Sequence, residues 1–157
     1  MVKNRGKIYL AYGSNLNLKE MSSRCPSASI LGSSELLGYR LLFCGESGSA
    51  EATIVKQKDG RVPVLLWNIM PSDEEALDLY EEYPEVYRKE FVNVHFKGEW
   101  VSAMVYIMNE KMPLGEPDRT YYEVIRQGYL DAGFDLSILD KAVQDSMHSE
   151  CEMKEKN

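Results

Sequence analysis

A short turn near the start of the chain carries residue types that bind anions. The run from Ile8 to Leu16 begins with alternating apolar and aromatic residues, which predict a strand, and continues as Gly13-Ser14-Asn15. Small residues in such a turn leave consecutive backbone N–H groups unpaired, and N–H groups at the end of a strand can hold a carboxylate or a phosphate. Gly13 has no side chain to keep the ligand away. The same residues are also typical of an ordinary strand-to-helix turn.

Acidic side chains are concentrated in a second segment, residues 72–82, which the sequence predicts to be a helix. Ser72 and Glu75 form a capping-box pattern at its start. A carboxylate in a dry pocket can take up and return a proton when burial raises its pKa toward neutrality. Glu81 and Glu82 are both candidates, but neighbouring helical residues point about 100° apart, so only one can face a pocket fully. Without a pocket, such a run is a solvated helix face.

Other nucleophiles and metal ligands form weaker patterns. Cys25, Cys44 and Cys151 are odd in number and widely spaced, which argues against a disulfide framework and favours a reducing compartment. His95 and His148 belong to no metal-ligand spacing, so we predict neither a metal nor another cofactor. Cys44 with His95 would make a nucleophile and base for an amidohydrolase, although no local signature accompanies them.

Length and charge restrict the class of protein. A chain of 157 residues with 44% hydrophobic and 27% charged residues predicts one soluble domain. The net charge of -7 disfavours nucleic acids and anionic membranes as partners. We find no signal peptide or membrane span and predict a cytoplasmic protein. The sequence does not determine whether the protein forms a homodimer.

The apolar patterns predict the elements that must position the candidate residues. Six strands are expected, the first at Ile8–Tyr12 and the others at Ser33–Phe43, Ala52–Gln57, Arg61–Met70, Phe91–Phe96 and Trp100–Met108. Asp59-Gly60 and Lys97-Gly98 predict hairpins between the third and fourth and between the fifth and sixth of these strands.

Helices are expected at four places. Besides the segment 72–82, they follow the capping residues Asn17, Asp118 and Asp135. Strands joined by hairpins with helices inserted between them predict an α+β fold. Residues 1–145 are expected to form a single domain, and the polar residues 146–157 a disordered tail.

The opening turn resembles a motif of the γ-glutamylcyclotransferase family. The run from Ala11 through Tyr12, Gly13, Ser14 and Asn15 to Leu16 is similar to the substrate-binding loop that ends the N-terminal strand of that family. The resemblance implies a small mixed or antiparallel β-barrel with surrounding helices. It also implies that Ala11, Tyr12, Gly13, Ser14 and Asn15 bind substrate.

Two further segments carry the same resemblance. Leu77–Pro84, followed by Tyr87, looks like the family segment that contains a proton-shuttling glutamate, and this glutamate falls on Glu81. The chain departs from the family at Glu82, where glycine is usual. Tyr121, seven residues before a glycine, resembles a tyrosine whose hydroxyl reaches the substrate. Among the other tyrosines, Tyr122 competes for this role, and further candidates for the pocket wall are Tyr12, Tyr87 and Tyr129.

The implied activity is an intramolecular acyl transfer of the transferase or lyase type. The α-amine of a γ-glutamyl amide attacks the γ-carbonyl, releases 5-oxoproline and expels a free amine or amino acid, with Glu81 as the proton shuttle. The partner is then a small γ-glutamyl compound such as glutathione, a γ-glutamyl amino acid or a γ-glutamyl amine, and the sequence does not choose among them. An alternative from another class is a non-catalytic binding module that holds a small acidic metabolite in the same loop.

Overall fold

The computed structural model describes residues 6–109 and 112–156, with side chains through Met147 in the last helix. The described chain has five strands: β1 (Lys7–Ala11), β2 (Ser29–Cys44), β3 (Glu51–Ile69), β4 (Tyr87–Phe96) and β5 (Glu99–Met108). Its four α-helices are α1 (Leu18–Arg24), α2 (Pro71–Tyr80), α3 (Arg119–Ala132) and α4 (Leu136–Lys156). A 3₁₀ turn at Ser14–Leu16 connects β1 to α1. The α+β class predicted from the sequence is confirmed.

The strands form one mixed sheet in the order β2-β3-β1-β5-β4. The central pair β1 and β5 is parallel, and the other neighbours are antiparallel. The sheet curves until its two edges meet, because the Ser34 hydroxyl of β2 donates a hydrogen bond to the His95 carbonyl of β4 and Gly32 lies against the Phe96 ring. Within the described residues no backbone ladder joins these edges, so the sheet is barrel-like and closes through side chains.

The hairpin predicted at Asp59-Gly60 is wrong, and with it the count of six strands. Both flanking segments belong to β3 and pair with the same partner, since Tyr39 of β2 faces Lys56 and Leu37 faces Arg61. Residues 57–60 therefore bulge out opposite the single residue between Leu37 and Tyr39. Asp59 takes a positive φ of 63° there. Residues that suit a tight turn also suit a wide bulge in a long two-stranded ribbon, and the sequence pattern does not separate the two.

The second hairpin and three helix caps are confirmed. Lys97 and Gly98 have φ values of 51° and 80° between β4 and β5, as a two-residue turn requires. The side chains of Asn17 and Asp118 accept hydrogen bonds from the backbone N–H groups three residues further on, at 3.0 and 3.2 Å. Asp135 accepts one from Ser137 N at 3.0 Å at the start of α4.

Helix α2 begins one residue before the predicted Ser72. Pro71 occupies its first turn, where no N–H is needed, and the Asp73 carboxylate accepts a hydrogen bond from Met70 N at 2.8 Å. The capping interaction is therefore made by Asp73 with Met70 and not by the predicted pair Ser72 and Glu75. The helix ends at Tyr80, two residues earlier than predicted.

The segment predicted to be a disordered tail begins within helix α4. Helix α4 continues through Lys156, and Ser146 is fully buried. Its hydroxyl accepts a hydrogen bond from Phe43 N and donates one to the Ala142 carbonyl, both at 2.8 Å. A serine that satisfies a strand amide in this way belongs to the helix–sheet interface despite its polarity. Asn157 and the side chains of residues 148–156 lie outside the described structure.

The core lies between the curved sheet and the helices. It is built from alternate residues of the strands, including Leu10, Phe43, Leu66 and Met104, each with no exposed surface. In the described part of the chain no helix combines the length and apolarity needed to cross a membrane.

Candidate active site

A cavity of about 90 Å³ opens where β1 ends. The turn Gly13–Asn15 forms one wall, and two carboxylates, Glu51 and Glu81, form part of the others together with Ala52. The remaining lining residues are tyrosines from strands β1, β4 and β5, from the residue after β1 and from helices α2 and α3, namely Tyr9, Tyr12, Tyr80, Tyr87, Tyr106 and Tyr121. The cavity therefore brings together the anion-binding turn and the acidic segment, which are distant in the sequence.

Side-chain hydrogen bonds fix the turn Gly13–Asn15 in place. Asn15 donates a hydrogen bond to the Tyr9 hydroxyl at 2.9 Å, and the Ser14 and Tyr80 hydroxyls lie 2.8 Å apart. Within the described residues, the backbone N–H groups of Gly13, Ser14 and Asn15 have no hydrogen-bond acceptor. Unpaired N–H groups at a cavity wall favour an oxygen atom of a ligand as their partner.

Gly13 keeps the cavity open on this side. A Cβ atom at this position would lie 3.2 Å from the Ala52 Cβ and 3.9 Å from the Tyr121 hydroxyl. Tyr121 and the turn therefore share the same small space.

The Tyr121 hydroxyl is available to a ligand, whereas that of Tyr122 is not. Tyr121 accepts a hydrogen bond from Ala52 N at 2.9 Å and keeps its own proton for another acceptor. Tyr122 instead donates to Asp140 of α4 at 2.5 Å. Tyr129 is fully buried against Phe134 in the core and does not line the cavity.

Glu81 lies at the C-terminal end of α2, and this position separates it from Glu82. Its backbone N–H still bonds the Leu77 carbonyl at 2.8 Å, and Leu77 is fully buried, so the helix end is fixed. Glu82 then takes a positive φ of 52°, which turns the chain off the helical path. As a result the Glu81 carboxylate lines the cavity and Glu82 is exposed.

The surroundings of Glu81 alter its protonation. Burial raises the pKa of this carboxyl most, the negative charge of Glu51 also raises it, and the Arg24 guanidinium partly offsets both, so that the pKa is about 8. A group with this pKa exchanges a proton readily near neutral pH. The tyrosines around it stay protonated, because burial raises the pKa of Tyr12 and Tyr121 well above the usual value.

Arg24 supports the site from outside the cavity. Its guanidinium lies 3.4 Å from the centre of the Tyr80 ring, donates a hydrogen bond to the Asn15 side-chain oxygen and pairs with Glu20 at 3.2 Å. This one side chain connects α1, the turn and the end of α2. Sequence reasoning missed Arg24, because its only local signal is the Glu20 pair one helical turn earlier.

Sequence reasoning also missed Glu51, Tyr80 and Tyr106. These residues lie at the start of β3, on α2 and on β5, and only the fold brings them to one cavity. Ala11, which was also predicted to bind substrate, is buried in β1, where it pairs with Leu65, and is not a lining residue.

The alternative pair Cys44 and His95 is separated by the sheet. Ser34 of β2 bonds the His95 carbonyl, and Cys44 is ten residues further along the same strand, roughly 30 Å for an extended chain. Burial also raises the pKa of the Cys44 thiol, which disfavours the thiolate. Among the described side chains no group of three His, Cys, Asp or Glu is arranged to hold a metal ion; His148 and Cys151 lie outside them.

The fold and the cavity together define a small α+β domain with an anion-holding turn and a buried carboxylate facing one ligand-sized space. The sequence profile of the family described as "Gamma-glutamyl cyclotransferase, AIG2-like" matches residues 9–129. The chain belongs to this family.

Solved structures support the assignment. An uncharacterized protein from Homo sapiens is 25% identical, with a TM-score of 0.76 over 88% of this chain and 87% of the other. A structure described as a gamma-glutamyl cyclotransferase is 26% identical, with a TM-score of 0.74 over 88% and 86%. A yeast enzyme described as specific to glutathione shares the fold at 12% identity, with a TM-score of 0.61 over 94% and 97%. No curated protein matches the chain significantly.

Proposed function

We propose that this protein is a γ-glutamylcyclotransferase that converts a γ-glutamyl amide into 5-oxoproline and a free amine. The observation that carries the proposal is the shared cavity: a carboxyl with a pKa of about 8, Glu81, lines the same space as the turn Gly13–Asn15. An intramolecular reaction needs no protein nucleophile, and its rate depends on holding the reacting groups in the right geometry.

The reaction proceeds by attack of the α-nitrogen on the γ-carbonyl carbon. The Glu81 carboxylate first takes a proton from the α-ammonium group, which frees the nitrogen lone pair. The new C–N bond closes a five-membered ring, and the bond to the leaving nitrogen breaks. Two protons leave the α-nitrogen and two reach the departing amine, so Glu81 passes them in sequence and ends as the carboxylate.

The turn and Tyr121 hold the substrate in this account. The N–H groups of Gly13, Ser14 and Asn15 bind substrate oxygen atoms. When one of these oxygen atoms belongs to the γ-carbonyl group, the N–H groups also stabilise the negative charge that develops on it during the attack. Tyr121 donates its free proton to a further oxygen of the glutamyl unit. The cavity restricts the flexible glutamyl chain to a folded conformation.

The two neighbouring glutamates provide the test. Glu81→Gln keeps the shape but removes the base, and we expect 5-oxoproline formation to fall roughly 10²- to 10⁴-fold. Glu82→Gln is the matched control, because Glu82 is exposed, and it should retain near wild-type activity. The assay measures 5-oxoproline from a panel of γ-glutamyl amides by mass spectrometry, with circular dichroism to verify folding.

Two results would argue against the proposal. Full activity of Glu81→Gln would remove the proton-shuttle role. Binding of γ-glutamyl compounds without turnover by the wild-type protein would indicate a binding module that uses the same cavity.

A further inference from the structure

A second carboxylate, Glu51, lines the cavity beside Glu81. Glu51 is the first residue of β3 and is exposed, so it lies toward the cavity mouth, while Glu81 lies deeper. The described lining residues include neither lysine nor arginine. The nearby Arg24 is already engaged with Asn15, Glu20 and the Tyr80 ring.

Among the described residues, no positive charge balances Glu51. Burial raises the pKa of Glu51, the charge of Glu82 raises it further, and the Tyr87 hydroxyl lowers it in part. No described side chain forms an ion pair with Glu51, whereas the acidic Glu74 of α2 is paired with Lys7 and Lys89 at 2.9 and 2.5 Å. A carboxylate at a cavity wall without a counter-ion favours a cation supplied by the ligand.

In the proposed reaction the glutamyl unit of the substrate has one ammonium group, and Glu81 takes up its proton. A second carboxylate in the same cavity therefore matches a second positive charge, which can only lie on the leaving part of the substrate. We infer that Glu51 selects leaving amines that carry a positive charge, so that γ-glutamyl amides of diamines react in preference to those that end in a carboxylate. This inference rests on the proposed function for the position of the glutamyl unit.

The rings at the cavity wall suit such a leaving group. Tyr80 is 40% exposed and Tyr87 is buried with its hydroxyl bonded to the Ala52 carbonyl at 2.7 Å. Both rings line the cavity with Glu51 and offer an apolar surface to a methylene chain. A terminal carboxylate would instead meet Glu51 with like charge.

Three γ-glutamyl amides of equal length test the inference. Their leaving amines are 1,4-diaminobutane, butylamine and 4-aminobutanoate, which differ only in a terminal positive, neutral or negative group. For the wild-type protein we expect kcat/KM to fall in that order, by about tenfold per step. Dissociation constants measured by calorimetry at low salt should follow the same order.

The variant Glu51→Gln should remove the discrimination. Relative to the butylamine amide, we expect it to lower kcat/KM for the diamine amide about tenfold and to raise it for the 4-aminobutanoate amide. The ratios are compared because the loss of the Glu51 charge also lowers the pKa of Glu81, which affects all three amides alike. Glu99→Gln is the control, since it changes the net charge equally at an exposed position in β5. It should keep the wild-type order.

The outcomes separate the two proposals. Turnover of all three amides at equal rates, or an order that Glu51→Gln leaves intact, would overturn the role of Glu51 while the cyclotransferase activity stands. Preferential binding of the diamine amide without turnover would overturn the activity and support the charge selection. Failure to bind any of the three would overturn both.

Discussion

Glu81 and Glu82 are neighbours in the chain with the same side chain, but the structure gives them different surroundings. The end of α2 places the first in the cavity and turns the second into solvent. Burial raises the pKa of Glu81 to about 8, and no other carboxyl in the acidic segment combines this shift with a place in the cavity. At the scale of single residues, the candidate base is therefore defined by its environment and not by its type.

The raised pKa of Glu81 predicts an acid limb in the pH profile. The base is the carboxylate, which is protonated below its pKa, so kcat/KM should rise about tenfold per pH unit up to about 8 and then level off. Because the Arg24 charge lowers the pKa of Glu81, Arg24→Met should move this limb to higher pH. Initial rates of 5-oxoproline formation, measured between pH 5 and 9, would show this displacement. Shifts of this kind are roughly one pH unit in size.

An exposed cation of the same helix serves as the control for Arg24. Lys19→Met also removes one positive charge from α1, but Lys19 is exposed and does not line the cavity. It should leave the acid limb in place. An acid limb near the ordinary glutamate pKa, or one that Arg24→Met does not move, would contradict the assigned surroundings of Glu81.

At the scale of elements, helix α3 positions the turn through Gly128. A Cβ atom at this position would lie 2.6 Å from the Leu16 Cβ and 2.9 Å from the backbone nitrogen of Asn17. The helix therefore packs directly on the end of the 3₁₀ turn that carries the unpaired N–H groups. The Asn17 side chain adds a hydrogen bond to the Val124 carbonyl at 3.0 Å.

The close contact predicts that Gly128→Ala is destabilising even though alanine favours a helix. Overpacking at a rigid contact destabilises the folded protein by about 1–3 kcal/mol, whereas replacing glycine with alanine stabilises the helix by roughly 0.5–1 kcal/mol. We expect a lower free energy of unfolding in urea and a reduced kcat/KM, because the turn must shift. Gln127→Ala, at an exposed position of α3, should change neither by much. Wild-type stability and activity of Gly128→Ala would show that the contact does not set the turn.

Local chemistry predicted some of these elements and failed for others. The caps at Asn17 and Asp118 and the Lys97-Gly98 turn depend on interactions within three residues, and the structure has all of them. The pair Asp59-Gly60 has equally clear turn chemistry, yet it forms a bulge because β2 continues past it and pairs with both sides. Which partner a strand has is decided by long-range packing, which a local pattern does not contain.

At the scale of the whole molecule, the order of the strands in the sheet explains which site residues could be predicted from the sequence and which could not. The turn and the acidic segment were recognisable because each carries a local motif of the family. Glu51 and Tyr106 carry none, and they reach the cavity because β3 and β5 flank β1 on either side. Ser146 joins the fold for a similar reason, since only the approach of α4 to β2 brings its hydroxyl to the Phe43 amide.

In the proposed reaction, the substrate's own α-amine, with Glu81 as proton shuttle, cleaves the γ-glutamyl amide. The most direct measurement is turnover of a γ-glutamyl amide in H₂¹⁸O, with mass spectrometry of the acid product and Glu81→Gln as the background for spontaneous cyclisation. We expect 5-oxoproline without ¹⁸O, because no water enters the product. Glutamate that carries ¹⁸O, or 5-oxoproline formed no faster than with Glu81→Gln, would contradict it.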